Sequence, residues 1–346
     1  MQDEPPVLAA VSSSARQLFT LLRCIAFAPK AHVIIGDEGL KFSVDEASVM
    51  EVSMRLQSRP PLQTRTTKTR PPPLTFHISL TALLETLQIF GLTDPNTSKP
   101  PWARDNPYPT STAFSNNVLG MNNLCRITYD TPGAPLSIIL TEASIRTSCD
   151  LTTYEPEYTD EIPFNRQSLA FKTIMRGSWL YDAILELSST SPEKLTLYAK
   201  MHRGKPFFAL SSTGTLGSAR VEFNNQPPTP TFRTPADNAP APPASLLETF
   251  QLADPDTVLR HTYKYSLVAK AARAMSVATK VSVRIDSQGV LSLQFMIEVE
   301  PAPGAGAGKM SFVDFRFVPL VEGDEGEGEG DGEGDTVMLG AEHEAF

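Results

Sequence analysis

Between residues 259 and 320 the spacing of apolar side chains changes period twice, and that double switch restricts the chain to few architectures. Alternation over 260–266 is the period of a half-buried strand. From Leu267 the pattern turns helical, with Val268, Ala271, Ala272, Met275 and Ala278 on one face. At Lys280 the period returns to two: Val281, Val283 and Ile285 point one way and Ser287, Gln288 and Gly289 make a turn. Residues 290–300 and 310–320 supply two further strands, with PAPGAGAG as the hairpin tip between them. A helix with one apolar stripe, set between a strand and an antiparallel meander, must bury that stripe on a sheet, so the expected class is α+β.

The rest of the chain repeats this order of elements. A strand at 7–11 leads through three candidate caps, Ser12 to Ser14, into a helix stopped by Pro29, whose stripe is Leu18, Leu21, Leu22 and Ile25. Strands follow at 32–35, 40–44, 49–56 and 74–78, then a helix at 79–91 with Leu80, Leu83, Leu84 and Leu87 inward, then strands at 124–129, 136–141 and 144–152. After the polar, acidic DLTTYEPEYTDE the pattern restarts: strand 162–175, helix 178–189, strands 195–201, 207–211 and 219–223. Loops at 57–73 and 94–117 are rich in proline, and 226–244 holds seven prolines with almost no apolar periodicity. The expected organisation is a first domain over 1–150, a crossover over 151–161, a second domain over 162–320 containing a disordered insertion at 226–244, and a disordered acidic tail over 321–346.

Charge is unevenly spread. Residues 322–346 carry ten of the 39 acidic residues and no Lys or Arg, so the body holds 29 acidic against 30 basic and is nearly neutral. Attraction to an anionic partner must then come from local patches. Two are visible: Arg16 and Arg23 recur at an interval of seven on the first helix with Lys30 just beyond it, and Lys270, Arg273 and Lys280 are spaced to share one face of the last. Read alone, such a stripe is either a solvated helix face or a surface for a phosphate backbone. No apolar run approaches membrane-spanning length, and the first thirty residues lack the pattern of a secretory signal, so a cytosolic origin and no membrane partner are expected. Cys24, Cys125 and Cys149 are odd in number and contain no CxxC pair, which fits neither a disulfide framework nor a zinc site.

Four segments carry a resemblance to a known family: KVSVRIDSQGVLSLQFMIEVE at 280–300, TFHISLTALLETLQIFG at 75–91, TTYEPE at 152–157 and FFALSSTGTLGSARVEF at 207–223. Together they resemble the Rad-One subunit family of the nine-one-one DNA-damage checkpoint clamp, whose fold is similar to that of the proliferating-cell sliding clamp. The resemblance implies antiparallel sheets outside and four helices on an inner, DNA-facing side. It also implies a heterotrimeric ring with two other clamp subunits around duplex DNA, without reading sequence. An ATP-dependent clamp loader, checkpoint and repair partners and a nuclear location are implied as well. Under that resemblance Arg16, Arg23, Lys30, Lys270, Arg273 and Lys280 face DNA. The subunit edges run along Ala143, Ile145 and Thr147 on one side and Leu216, Ala219, Val221 and Phe223 on the other.

The family has also been associated with 3′ to 5′ exonuclease activity, so a metal-dependent exodeoxyribonuclease is the alternative. Two-metal nucleases need several carboxylates converging on ions about 4 Å apart. The candidates, Asp37, Glu38, Asp45, Glu46, Asp160, Glu161 and Asp314, show no nuclease spacing and read as solvated turn residues. His32, His77, His202, His261 and His343 form no local metal pair, and there is no GxxxxGK[ST] loop for a nucleotide. No catalytic residue, metal ligand or cofactor is therefore expected.

Overall fold

The computed structural model describes residues 6–12, 15–36, 39–57, 74–89, 124–142, 145–157, 161–224, 246–299 and 309–321. The 57–73 loop beyond Gln57, the 94–117 loop, the 226–244 insertion, the 301–308 tip and the tail from 322 lie outside the described residues, as do Ala143, Asp37, Glu38 and Asp160.

The first half runs β1 (Leu8–Ser12), α1 (Ala15–Cys24), β2 (Lys30–Gly36), β3 (Gly39–Glu46), β4 (Met50–Gln57), β5 (Leu74–Ser79), α2 (Leu80–Ile89), β6 (Leu124–Tyr129), β7 (Leu136–Glu142) and β8 (Ile145–Leu151). A two-residue strand, β9 (Thr153–Tyr154), comes next. The second half runs β10 (Leu169–Arg176), α3 (Gly177–Leu187), β11 (Pro192–His202), β12 (Lys205–Gly214), β13 (Gly217–Asn224), β14 (Thr249–Leu252), β15 (Leu259–Lys264), α4 (Tyr265–Ala269), α5 (Ala272–Val277), β16 (Lys280–Asp286), β17 (Leu291–Val299) and β18 (Lys309–Phe317). Every strand pairing is antiparallel, and the α+β class read from the periodicity is what the chain adopts.

Three elements differ from expectation. The strand expected from 162 begins at Leu169, because Ile162 and Asn165 N–H donate to side chains of the sheet and Gln167 and Ser168 N–H donate to Asn165 Oδ1, forming a turn instead of a ladder. The short β14, just after the proline-rich insertion, pairs with β10 and has too few residues to show a period. The single helix expected after Leu267 is broken: Lys270 N–H and Ala271 N–H donate to carbonyls three residues back, on Leu267 and Val268, tightening one turn between α4 and α5.

The strands form three sheets. One four-stranded sheet has the order β1-β6-β7-β8 and another β13-β12-β11-β15. The third has ten strands, β14-β10-β16-β17-β18-β4-β3-β2-β5-β9, and is continuous across both halves because β18 pairs with β4, Val313 opposite Met54 and Phe317 opposite Met50. The repeated order of elements thus becomes a repeated pairing. In each half a leading strand joins a three-strand meander (β1 with β6–β8, β10 with β16–β18), while the other three-strand meander joins a lone strand (β2–β4 with β5, β11–β13 with β15).

Alternation along each strand sends one set of side chains to a common core. Val281, Val283 and Ile285 are buried with Phe295, Val313, Phe315 and Phe317, and the Phe295 and Phe315 rings meet edge to face at 5.5 Å. Phe171, Phe208 and Phe223 stack in series at 5.4 and 5.3 Å, and Phe76 stacks on Tyr129 at 4.7 Å. Each such buried ring or aliphatic side chain contributes about 1.5–3 kcal/mol. Among the described residues no helix is long and apolar enough to cross a membrane.

Candidate nucleic-acid interface

The helices touch in a row: α2 meets α1, α1 meets α5, and α5 meets α3. The α3–α5 contact is close because Gly177 starts α3; a Cβ there would lie 2.6 Å from the Ala278 carbonyl oxygen. On α1 the expected stripe of Leu18, Leu21, Leu22 and Ile25 is buried, joined by Phe19 and Cys24. Cys24 sits where α1 and α5 meet. Burial pushes its thiol up to about 12, while the guanidiniums of Arg273 and Arg23 pull the other way. Two of the six expected basic residues, one from each half, therefore both act on the Cys24 thiol: Arg23 from α1 and Arg273 from α5, two helices in contact. Arg23 also lies over the Phe19 ring, 5.6 Å from its centroid.

The other four are placed differently. Arg16 is the second residue of α1. Lys30 begins β2, exposed, with its ammonium 5.2 Å from the centre of the Tyr154 ring. Lys270 lies in the break between α4 and α5; its ammonium pairs with Glu46 of β3 and sits over the Phe27 ring at 5.4 Å. Its charge is thus partly spent on tying the second half to the first. Lys280 does not share a helix face with Lys270 and Arg273, because it opens β16 and pairs with Glu248 at 2.7 Å. The exposed residues of α2 (Thr81, Glu85, Gln88) and of α3 (Ser178, Asp182, Leu185, Glu186) include no base.

The crossover extends further than its composition indicated: residues 155–157 and 161–166 lie against the ten-stranded sheet. His77 Nδ1 accepts from Glu157 N–H at 3.1 Å; Lys41 donates to Glu161 at 2.5 Å. Buried Glu51 accepts from Ile162 N–H at 2.9 Å, and Arg316 donates to the Ile162 carbonyl at 2.7 Å. Phe164 lies under the Arg284 guanidinium at 5.4 Å, and Asn165 N–H donates to Asp286 at 3.1 Å. Beneath this strap runs a chain of buried charges: Arg284 donates to Ser292 Oγ at 2.8 Å and Asp314 at 3.3 Å, and Ser292 donates to the same Asp314 oxygen at 2.7 Å. Asp314 and Glu51 each lie within 4 Å of Arg316.

That network accounts for most of the carboxylates singled out in the sequence. Asp314 is buried against Arg284, Glu161 holds Lys41, Glu46 holds Lys270, and Asp45 accepts from Ser48 N–H at 3.2 Å. They are ion-paired or turn-forming side chains; the reading as solvated residues is corrected for Asp314, which is 7 % exposed. His32 and His77, far apart in sequence, have rings 5.1 Å apart because β2 and β5 pair there. They line an open cavity of about 320 Å³ with Asp45, Glu51, Glu157 and Glu161. Burial, then the His77 and Lys41 charges, lowers the His32 pKa. Among the described residues no group of three or more His, Cys, Asp or Glu is arranged to hold a metal ion.

Both expected subunit edges fall on outermost strands, β8 in one four-stranded sheet and β13 in the other. Ile145 opens β8 and Thr147 lies within it, half-buried. Ala219 and Val221 are half-buried on β13, while Phe223 turns inward onto Phe208. Leu216 precedes β13, in the turn after β12, and is 74 % exposed.

The sequence that folds into this row of helices beside antiparallel sheets also matches a family model. The model of the repair proteins Rad1/Rec1/Rad17 covers residues 7–297, and the chain belongs to that family. It is similar to the DNA damage checkpoint control protein rad1 of Schizosaccharomyces pombe, 30% identical over 310 residues, covering 88% of this chain and 84% of that one. It is likewise similar to the human cell cycle checkpoint protein RAD1, 29% identical over 321 residues, covering 92% and 94%. A third relative, the DNA repair exonuclease REC1 of Mycosarcoma maydis, is 24% identical over 196 residues, covering 50% and 39%. The resemblance drawn from residues 75–91, 152–157, 207–223 and 280–300 is borne out.

Proposed function

We propose that this chain is a non-catalytic clamp subunit, with domains over 1–150 and 162–320, that closes a heterotrimeric ring around duplex DNA in the nucleus. It acts in DNA-damage checkpoint signalling and repair, the roles its relatives' names carry. The observation behind the reading is the β18–β4 pairing. By the repeat, β18 corresponds to β8 and β4 to β13, so the two open edges are the counterparts of the two strands already joined inside the chain. A β8 edge on one subunit and a β13-type edge on the next would pair as β18 and β4 do, satisfying backbone groups that otherwise face water. Two such joints per subunit generate a closed ring.

In that ring the row α2-α1-α5-α3 lines the hole, and Arg23 of α1 and Arg273 of α5 supply its positive charge, with Lys270 in the break before α5. Contacts of this kind go to phosphates and read no base edge, so the ring slides, and topology rather than affinity retains the DNA. An ATP-driven loader has to open it. The exonuclease alternative is supported by the name of a relative matched over half the chain, and of its candidate carboxylates the four that are described, Asp45, Glu46, Glu161 and Asp314, are engaged with cations or backbone.

Native mass spectrometry of the tagged chain recovered from cells tests the proposal. One copy of this chain with one each of two other proteins of similar size is expected. A lone chain that degrades DNA and brings no such partners would overturn it.

A further inference from the structure

The sheet β13-β12-β11-β15 buries Leu195, Leu197, Ala199, Phe208 and Leu210 on one face, and its other face is unusually basic. Register places Lys264 beside Lys194, Arg260 beside Tyr198, Phe207 beside Lys200 and Lys205 beside His202, with Arg220 opposite Ser211. These cations interleave with the two aromatic rings. Tyr198 has Arg220 at 5.2 Å and Arg260 at 5.8 Å from its centroid, and Phe207 has Lys200 at 5.4 Å and Arg220 at 5.4 Å. Glu222 is the acid on this face, paired with Arg220 at 3.0 Å. Among the described residues Lys194, Lys200, Lys205 and Lys264 form no ion pair. None of these six cations belongs to the set proposed to face DNA.

The chain leaves the described region at this sheet. Leu320 N–H donates to the Thr262 carbonyl of β15 at 2.7 Å, and Val321, the next residue, is 93 % exposed. Residues 322–346 then read EGDEGEGEGDGEGD and eleven further residues, with ten carboxylates in all, no cation and little bulk. A chain of 25 residues reaches at most about 80–90 Å. The four strands span only about 15 Å. The tail is therefore tethered at the edge of a basic face, at an effective concentration on the order of millimolar.

We propose that the acidic tail, residues 322–346, docks on this basic face of β11, β12, β13 and β15 and acts as a built-in polyanion that shields it from other anions. The attraction is exposed and multivalent, so it is weak per contact and sensitive to salt.

Zero-length carbodiimide coupling on the full chain, followed by peptide mapping, tests this. At low salt, tail Asp and Glu should link to Lys194, Lys200, Lys205 and Lys264 about five-fold more than to Lys172 or Lys280. The preference should vanish near 1 M salt, where the screening length is about 3 Å. In a chain carrying Lys200→Glu, Arg260→Glu and Lys264→Glu, links to Lys194 and Lys205 should drop to the level of Lys172. As an independent readout, neutralising the ten tail acids to Gln or Asn should raise amine acylation at the same four lysines. Links spread evenly over exposed lysines would overturn the proposal. So would shielding of these lysines that depends on added duplex DNA and is equal in parent and neutral-tail chains, which would make the face a nucleic-acid surface.

Discussion

Asp314→Ala is the sharpest single test of how the strap over the ten-stranded sheet is held. Asp314 and Arg284 have side chains only 9 % and 10 % exposed, so removing the carboxylate leaves a guanidinium largely out of water with no anion of its own. Breaking one side of a buried pair costs about 3–5 kcal/mol. Arg284 keeps its bond to Ser292 and its place over Phe164, which puts the expected loss at the lower end, about 3 kcal/mol. Replacing both partners, Arg284→Met with Asp314→Leu, removes the stranded charge and should recover at least about 2 kcal/mol of that, since apolar substitution of a buried pair is often neutral. Urea unfolding of the parent, Arg284→Met, Asp314→Leu and the double variant by far-UV circular dichroism gives the cycle, Asp314→Ala is measured beside them, and hydrogen exchange at 161–168 should rise in Asp314→Ala. A single mutant within about 0.5 kcal/mol of the parent, or strictly additive substitutions, would refute the reasoning.

Other consequences are open to simpler measurements. The His32 pKa is lowered in the folded chain, so the unfolded state takes up that proton first. Stability should then fall as pH drops below about 6.5 and keep falling until the folded pKa is passed. His32→Gln should flatten that part of the urea-midpoint profile, and an unchanged profile would exclude His32 as its source. With Cys24 pushed up to about 12 and Cys125 to about 11 by burial, alkylation of the native chain at pH 8 should label half-buried Cys149 first, the other two reacting only on unfolding. Arg23→Glu with Arg273→Glu should leave ring assembly intact, weaken retention on DNA, and lower the salt slope by about 0.9 for each phosphate no longer neutralised. DNA retention equal to the parent's would remove both from the lining. Thr147→Pro puts a residue without an N–H into the edge strand β8 and should abolish capture of one partner subunit, with a parental far-UV circular dichroism spectrum as the control for folding; capture of both partners at parental yield would discard that edge.

Much of the architecture is written in local periodicity. The helices at 15–24, 80–89 and 177–187, the strands around them, the inward stripe of Leu18, Leu21, Leu22 and Ile25, and the 280–317 meander follow from which residues alternate and which recur every three or four. Turns and stripes act over a few residues, so sequence spacing alone reports them. Asp314, Glu51 and Arg284 look like outward polar residues on their strands; the strap at 161–166 covers them, and it meets Glu51 from 111 residues away. Spacing puts Lys270 and Lys280 on one helix face, and the tightened turn at 270–271 separates them. The His32–His77 approach, the action of Arg273 on Cys24 and the joining of β18 to β4 likewise depend on contacts between distant segments. Sequence alone determined the order of elements, the faces that go inward and the family. Tertiary structure decided which charges are buried, which are neutralised and which strand edges stay open, because those depend on what packs above a residue rather than on its neighbours in the chain.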